Sequence, residues 1–191
     1  MTDALRIWLS SWIIQDGNYG DFAVGEKCPF ALEFWPVDSL VVLQPDAASA
    51  PLSMSWQRDA TYSVKGRVSF VAETWWVLDA GLPMYRDQRT PPGPVGTLVE
   101  GQIGIGIDHF SYFESLAGRP GAPALIFDWR IDAIEMDTAP LVETKPRFVE
   151  RDRSRQGWKA LPQTDAWEDD GGHADYLLTC SRVQGEPRRH L

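Results

Sequence analysis

The chain of 191 residues holds two cysteines, three histidines and a single asparagine, and the scarcity of the first two removes whole classes of protein. Cys28 and Cys180 lie far apart with no export signal ahead of them. They are expected to stay reduced and to pack as small apolar side chains, which excludes a disulfide scaffold. His109, His173 and His190 are too scattered for a metal signature. No apolar run approaches the roughly 18 to 20 residues that a spanning helix needs. The start, Met1-Thr-Asp-Ala-Leu-Arg, lacks a basic region followed by an apolar stretch. A cytoplasmic protein without membrane contact is the expectation. Also missing are a Gly-x-Ser-x-Gly elbow, a phosphate-binding glycine-rich loop and a Cys-x-x-Cys pair. Ser, His and acidic residues occur, but no spacing nominates a triad, so the sequence favours a protein with no cofactor, no metal and no catalysis.

What is present suits a globular chain: 43% apolar, 24% charged and 12% aromatic residues, enough for one sizeable core or two small ones. The net charge of −9 is unevenly spread: residues 1–50 carry two Lys or Arg against seven Asp or Glu, 101–141 two against six, and the other two stretches balance. Affinity for a duplex or an anionic membrane comes largely from neutralising phosphates, so this balance disfavours both partners.

Period-two alternation dominates the first two-thirds of the chain. A strand is expected from Ala4 to Gln15, ending in the turn cluster Asp16-Gly-Asn-Tyr-Gly-Asp. Another runs from Val24 to Trp35, with Pro29 placing it at an edge or a bulge. Leu40 to Leu43 is a short apolar run, and residues 45–51 read as a loop. Residues 62–73 and 74–81 suggest a hairpin, 82–86 a third short strand, 97–108 a long one and 125–136 another, with one or two helical turns between 109 and 117. Residues 142–170 read as a charged surface arm, followed by a last strand from Asp175. The expected class is mainly β: a domain over 1–141 and a charged arm with one terminal strand over 142–191.

Val64-x-Gly-x-Val68 and Val77-Leu-Asp-x-Gly81, with the strand order across 62–137, resemble the opening of the five-stranded OB-fold barrel, in which a glycine lets the first strand bend sharply. The resemblance covers about two-fifths of the chain. Such barrels bind on their second and third strands, where aromatic rings stack on bases or sugars. The resemblance thus implies a platform of Trp75, Tyr85 and Arg86, joined by Lys65 and Arg67. The alternative, favoured by the extra N-terminal strands, buries the aromatic part.

Three further features could carry chemistry. Arg151, Arg153, Arg155 and Trp158 form the one basic cluster, with Arg147 and Phe148 beside them. Interleaved cations and aromatics suit a single-stranded nucleic acid or an acidic partner, and pairing within the molecule or with a protein is favoured here. Gly104 and Gly106 leave a bare stripe of backbone, open to a ligand or marking a barrel corner. The 165–175 loop is acidic without an EF-hand spacing. The leading expectation is a non-catalytic protein that binds a partner protein or itself through aromatic and arginine side chains. The alternatives are a single-strand nucleic-acid binder and a metal-dependent hydrolase built on the acidic loop.

Overall fold

Alternating apolar positions become strands along most of the chain. The computed structural model describes residues 4–44, 51–145 and 148–191. Its strands are β1 (Leu5–Ser10), β2 (Lys27–Phe30), β3 (Leu32–Pro36), β4 (Val41–Val42), β5 (Ser53–Arg58), β6 (Thr61–Val71), β7 (Trp76–Asp79), β8 (Pro83–Arg86), β9 (Leu98–Ile107), β10 (Phe127–Asp137), β11 (Leu141–Lys145), β12 (Phe148–Arg151), β13 (Trp158–Leu161) and β14 (Asp175–Arg182). The protein is mainly β, as expected. The loop expected at 45–51 lies outside the described residues except for Pro51, and so does Arg147.

Five strands close into a mixed barrel. β6 pairs with β7, β7 with β8, β8 lies parallel beside β3, β3 pairs with β9, and β9 returns to β6. Phe34, Val64, Val68, Leu78, Met84, Ile103 and Ile105 are buried in the main core. At Gly66 an added Cβ would stand 2.7 Å from Leu78 Cδ1, so a bare backbone is what lets β7 close over β6.

The ring differs from the sequence reading in its fifth member. That place is taken by β3, which precedes the other four, while the strand expected at 125–136 forms as β10 outside the ring. Alternation fixes which face of a strand is buried but not which neighbour it pairs with. Leu32 to Pro36 occupy the edge of β9 from Ile107 to Ile103. β10 instead turns Trp129, Ile131 and Ile134 into a continuation of the core, built with β14, β1 and β2 in the order β13-β10-β14-β1. β1 joins this extension to the barrel through a parallel contact of Trp8 with Gly106. The last strand of the charged segment, β14, therefore sits in mid-sheet between β1 and β10.

Two expected strands are interrupted. The first ends at Ser10, and residues Ser11–Gln15 form a short helix, α1. Ile13 and Ile14 are both buried, which adjacent residues of a strand facing a single core could not achieve. Gln15 Nε2 also bonds the carbonyls of Ala166 and Gly172. The stretch from Val24 divides at Ala31 into β2 and β3, one for each part of the sheet, with Pro29 on β2, which among the described strands pairs only with β10. β11 and β12 make a separate, exposed two-stranded ribbon.

A second core lies outside the barrel wall. The helical turn Tyr112–Leu116 and the chain through Ala122, Leu125 and Ile126 cover Trp75, Val77 and Tyr85. Cys28 and Cys180 are free thiols, and burial, with Glu26 and Asp128 nearby, pushes the Cys28 thiol up to about 12. No helix among the described residues is long and apolar enough to cross a membrane.

Candidate binding groove on the barrel wall

The outward face of β9 is shaped by its glycines. Ile103, Ile105 and Ile107 point inward and are buried, so Gly104 and Gly106 face out. Trp35, opposite Gly104 in the β3–β9 register, lies flat on this bare backbone. An added Cβ would stand 2.2 Å from the Trp35 ring at Gly104 and 3.0 Å at Gly106. The stripe that the sequence left open to a ligand or a bend is thus filled by an indole, an aromatic ring standing in for missing side chains. Trp35 nevertheless keeps 40% of its surface exposed, so the area not pressed on the stripe remains free.

That surface forms one wall of a groove of about 570 Å³, lined also by Trp8, Ser10, Arg58 to Thr61, Arg153, Gln156 and Asp175. β1 brings Trp8 and Ser10 to the groove. The tight β5–β6 turn, in which Asp59 takes a φ of 43°, brings Arg58 and Asp59. The Arg153 guanidinium lies over the Trp8 ring at 5.2 Å, and Trp158 meets Trp8 edge-on at 6.2 Å. These arrangements fix the Trp8 ring through cation–π and edge-to-face attraction.

The charges along the groove are largely spent on one another. Arg153 pairs with the buried Asp137. Asp175 accepts from Ser10 Oγ at 2.6 Å and from Arg151 Nε at 3.1 Å. Arg151, its side chain 5% exposed, also bonds Asp170, the carbonyl of Ala139 and the carbonyl of His173. Two cations, Arg58 and Arg153, face two anions, Asp59 and Asp175, so the lining is close to neutral.

The residues singled out from sequence are scattered by the fold. Trp75 and Tyr85 are fully buried in the second core, so the platform drawn through them is interior. The covering comes from 112–126 together with Ala31 at the junction of β2 and β3, while Phe34 of β3 packs on the neighbouring Trp76 at 5.0 Å. Arg86 bonds Gln88, Lys65 lies across from Glu100 on the barrel wall, and Arg67 is exposed next to Asp79. Of the basic cluster, Arg153 lines the groove, Trp158 only backs it by meeting Trp8 edge-on, Arg151 clamps the loop beside it, and Arg155 is exposed. Trp8, Trp35 and Arg58 escaped the sequence reading. Two glycines on one face of a long strand were the available signal, because such a gap calls for a ring from the neighbouring strand.

The acidic loop is internally committed. Asp169 accepts from Tyr176 Oη and from the Asp165 amide, while Asp170 and Asp175 hold Arg151. Among the described residues no group of three or more His, Cys, Asp or Glu converges as a metal site would require. Compared with known proteins, the chain matches no family model, no curated protein and no solved structure.

Proposed function

We propose that this chain is a partner-binding protein whose groove holds an extended, sparsely charged segment of another protein. The observation that carries this reading is the seating of Trp35: one side of the ring is fixed on Gly104 and Gly106, and the rest is offered to a groove that Trp8 also lines. Preorganised aromatic surface binds at low entropic cost. Flat rings in a groove whose charges balance suit proline or aromatic side chains of an extended chain. The outer edge of β5, which among the described strands pairs only with β6, ends at the rim in Arg58 and adds backbone groups that such a segment can use.

Resemblance to OB-like barrels supports a binding role, since these barrels present their ligands on the wall. Single-stranded nucleic acid is the weaker occupant, because Arg151 and Arg153 already hold carboxylates and the chain carries a net charge of −9. The test is selection of displayed random peptides on the protein, with each selected peptide then measured against the Trp35→Ala variant. The reading expects peptides poor in charged residues, with affinity lowered by about 30-fold in the variant, the size of an interface hot spot. Selected peptides that bind both proteins equally, or no selected peptide at all, would contradict it.

A further inference from the structure

Beyond the groove, a second constellation joins three residues that the sequence left apart. β9 ends at Ile107, and Asp108 turns inward, accepting from Tyr85 Oη and from the Tyr112 amide. His109 turns outward. Its Nδ1 lies 2.7 Å from Glu33 Oε2, and its Nε2 lies 3.0 Å from Ser111 Oγ. Phe110 between them has a φ of 80°, a left-handed conformation that costs a non-glycine residue free energy and marks places worth functional scrutiny. We propose that Ser111, His109 and Glu33 form a serine-nucleophile relay that hydrolyses activated carboxylic esters.

The geometry assigns each role. A carboxylate at Nδ1 fixes the tautomer that carries its proton there, leaving the Nε2 lone pair to accept from Ser111 Oγ–H. In the first step Ser111 Oγ bonds to the ester carbonyl carbon and its proton passes to His109 Nε2. The bond from that carbon to the leaving oxygen then breaks, and the alcohol or phenol departs with the proton from Nε2. In the second step water attacks the acyl-serine, giving a proton to Nε2, and Ser111 Oγ leaves by taking it back, releasing the carboxylic acid. Ser111 and His109 are the catalytic residues, and Glu33 is a positioning residue.

The surroundings set the substrate class. Trp12, half exposed on α1, lies 5.9 Å from the His109 ring and 6.4 Å from Phe110, an apolar surface for an aryl group. The Tyr112 amide, the backbone donor next to Ser111, is spent on Asp108 and does not steady an oxyanion. The relay therefore acts on aryl esters, whose leaving groups need little help, and leaves peptides uncut. The Glu33 hydrogen bond raises the His109 pKa against the lowering effect of burial, and the charges of Glu33, Asp108 and Asp87 raise it further. A ring protonated at Nε2 cannot take the serine proton, so the rate falls as the pH drops through that raised value.

Three measurements on the 191-residue chain test the relay. A fluorophosphonate probe is expected to label Ser111, located by peptide mass mapping. Hydrolysis of p-nitrophenyl acetate is expected to fall by about 100-fold in Ser111→Ala and in His109→Gln, with thermal midpoints showing both variants folded. Glu33→Gln is expected to move the acid limb of the pH profile downward, which a merely structural role would not do. No label on Ser111, or loss of hydrolysis in His109→Gln with full activity in Ser111→Ala, overturns the proposal; the second result would make the imidazole itself the nucleophile.

Discussion

At the scale of single residues, the account rests on close approach and on one buried carboxyl. Gly104 has no room for a methyl group beneath Trp35, so Gly104→Ala must lift the ring or shift the strand. A loss of about 1 to 3 kcal/mol is expected in urea unfolding, the usual range for overpacking, together with loss of peptide binding. Asp108 is buried, with its Oδ2 atom unpartnered. Burial pushes its carboxyl up from the usual value near 3.8, more than the hydrogen bonds from Tyr85, Tyr112 and Phe113 pull it down. The folded protein then binds a proton that the unfolded chain has released, so this group's contribution to stability is full below the ordinary carboxylate range. It is lost as the pH rises through the raised value. Asp108→Asn keeps an acceptor for Tyr85 and removes that dependence. Thermal midpoints from pH 4 to pH 8 should fall less steeply in the variant, and parallel curves would refute the assignment. None of this was visible in sequence, since Asp108 reads as one more polar residue at a strand end and only the fold brings Tyr85 to it.

At the scale of elements, the segment after residue 142 divides into parts of unequal weight. Arg151 ties the end of β12 to the 170–175 loop and to Ala139. Its loss leaves Asp175 with Ser10 and a more distant Arg153 at 4.0 Å and frees the Ala139 and His173 carbonyls, so Arg151→Ala should cost about 2 to 3 kcal/mol, with Arg151→Lys recovering only part because an ammonium lacks the guanidinium fork. Phe148, 65% exposed on the ribbon, should tolerate Phe148→Ser within about 0.5 kcal/mol. Denaturant titrations of the three variants check both statements. The strands themselves were largely legible. The alternation of Val64, Val68, Ile103, Ile105, Phe127, Trp129 and Ile131 marked β6, β9 and β10, and the turn at 112–116 falls inside the helical stretch expected there. β5 was not, because Ser53-Met-Ser-Trp-Gln-Arg buries little and its pairing with β6, not its pattern, makes it a strand.

At the scale of the whole molecule, topology was the hidden part. The sequence carries a barrel-like run of strands, yet β3 closes the ring from the N-terminal side and β14 returns from the C-terminal side to the middle of the sheet. Both are long-range pairings that leave no local mark. The groove inherits this concealment, since Trp8, Trp35, Arg58 and Arg153 come from four separated stretches. Its charge balance yields a further expectation. Peptide affinity should change little between 50 mM and 500 mM salt, whereas a ligand bound through its phosphates would be released steeply. The most direct test follows the side-chain NH signals of the nine tryptophans by NMR as a selected peptide is added. The account predicts shifts at Trp8 and Trp35, with the buried Trp75, Trp76 and Trp129 unmoved. Shifts confined to Trp12, Trp56 or Trp167, with Trp8 and Trp35 unchanged, would contradict it.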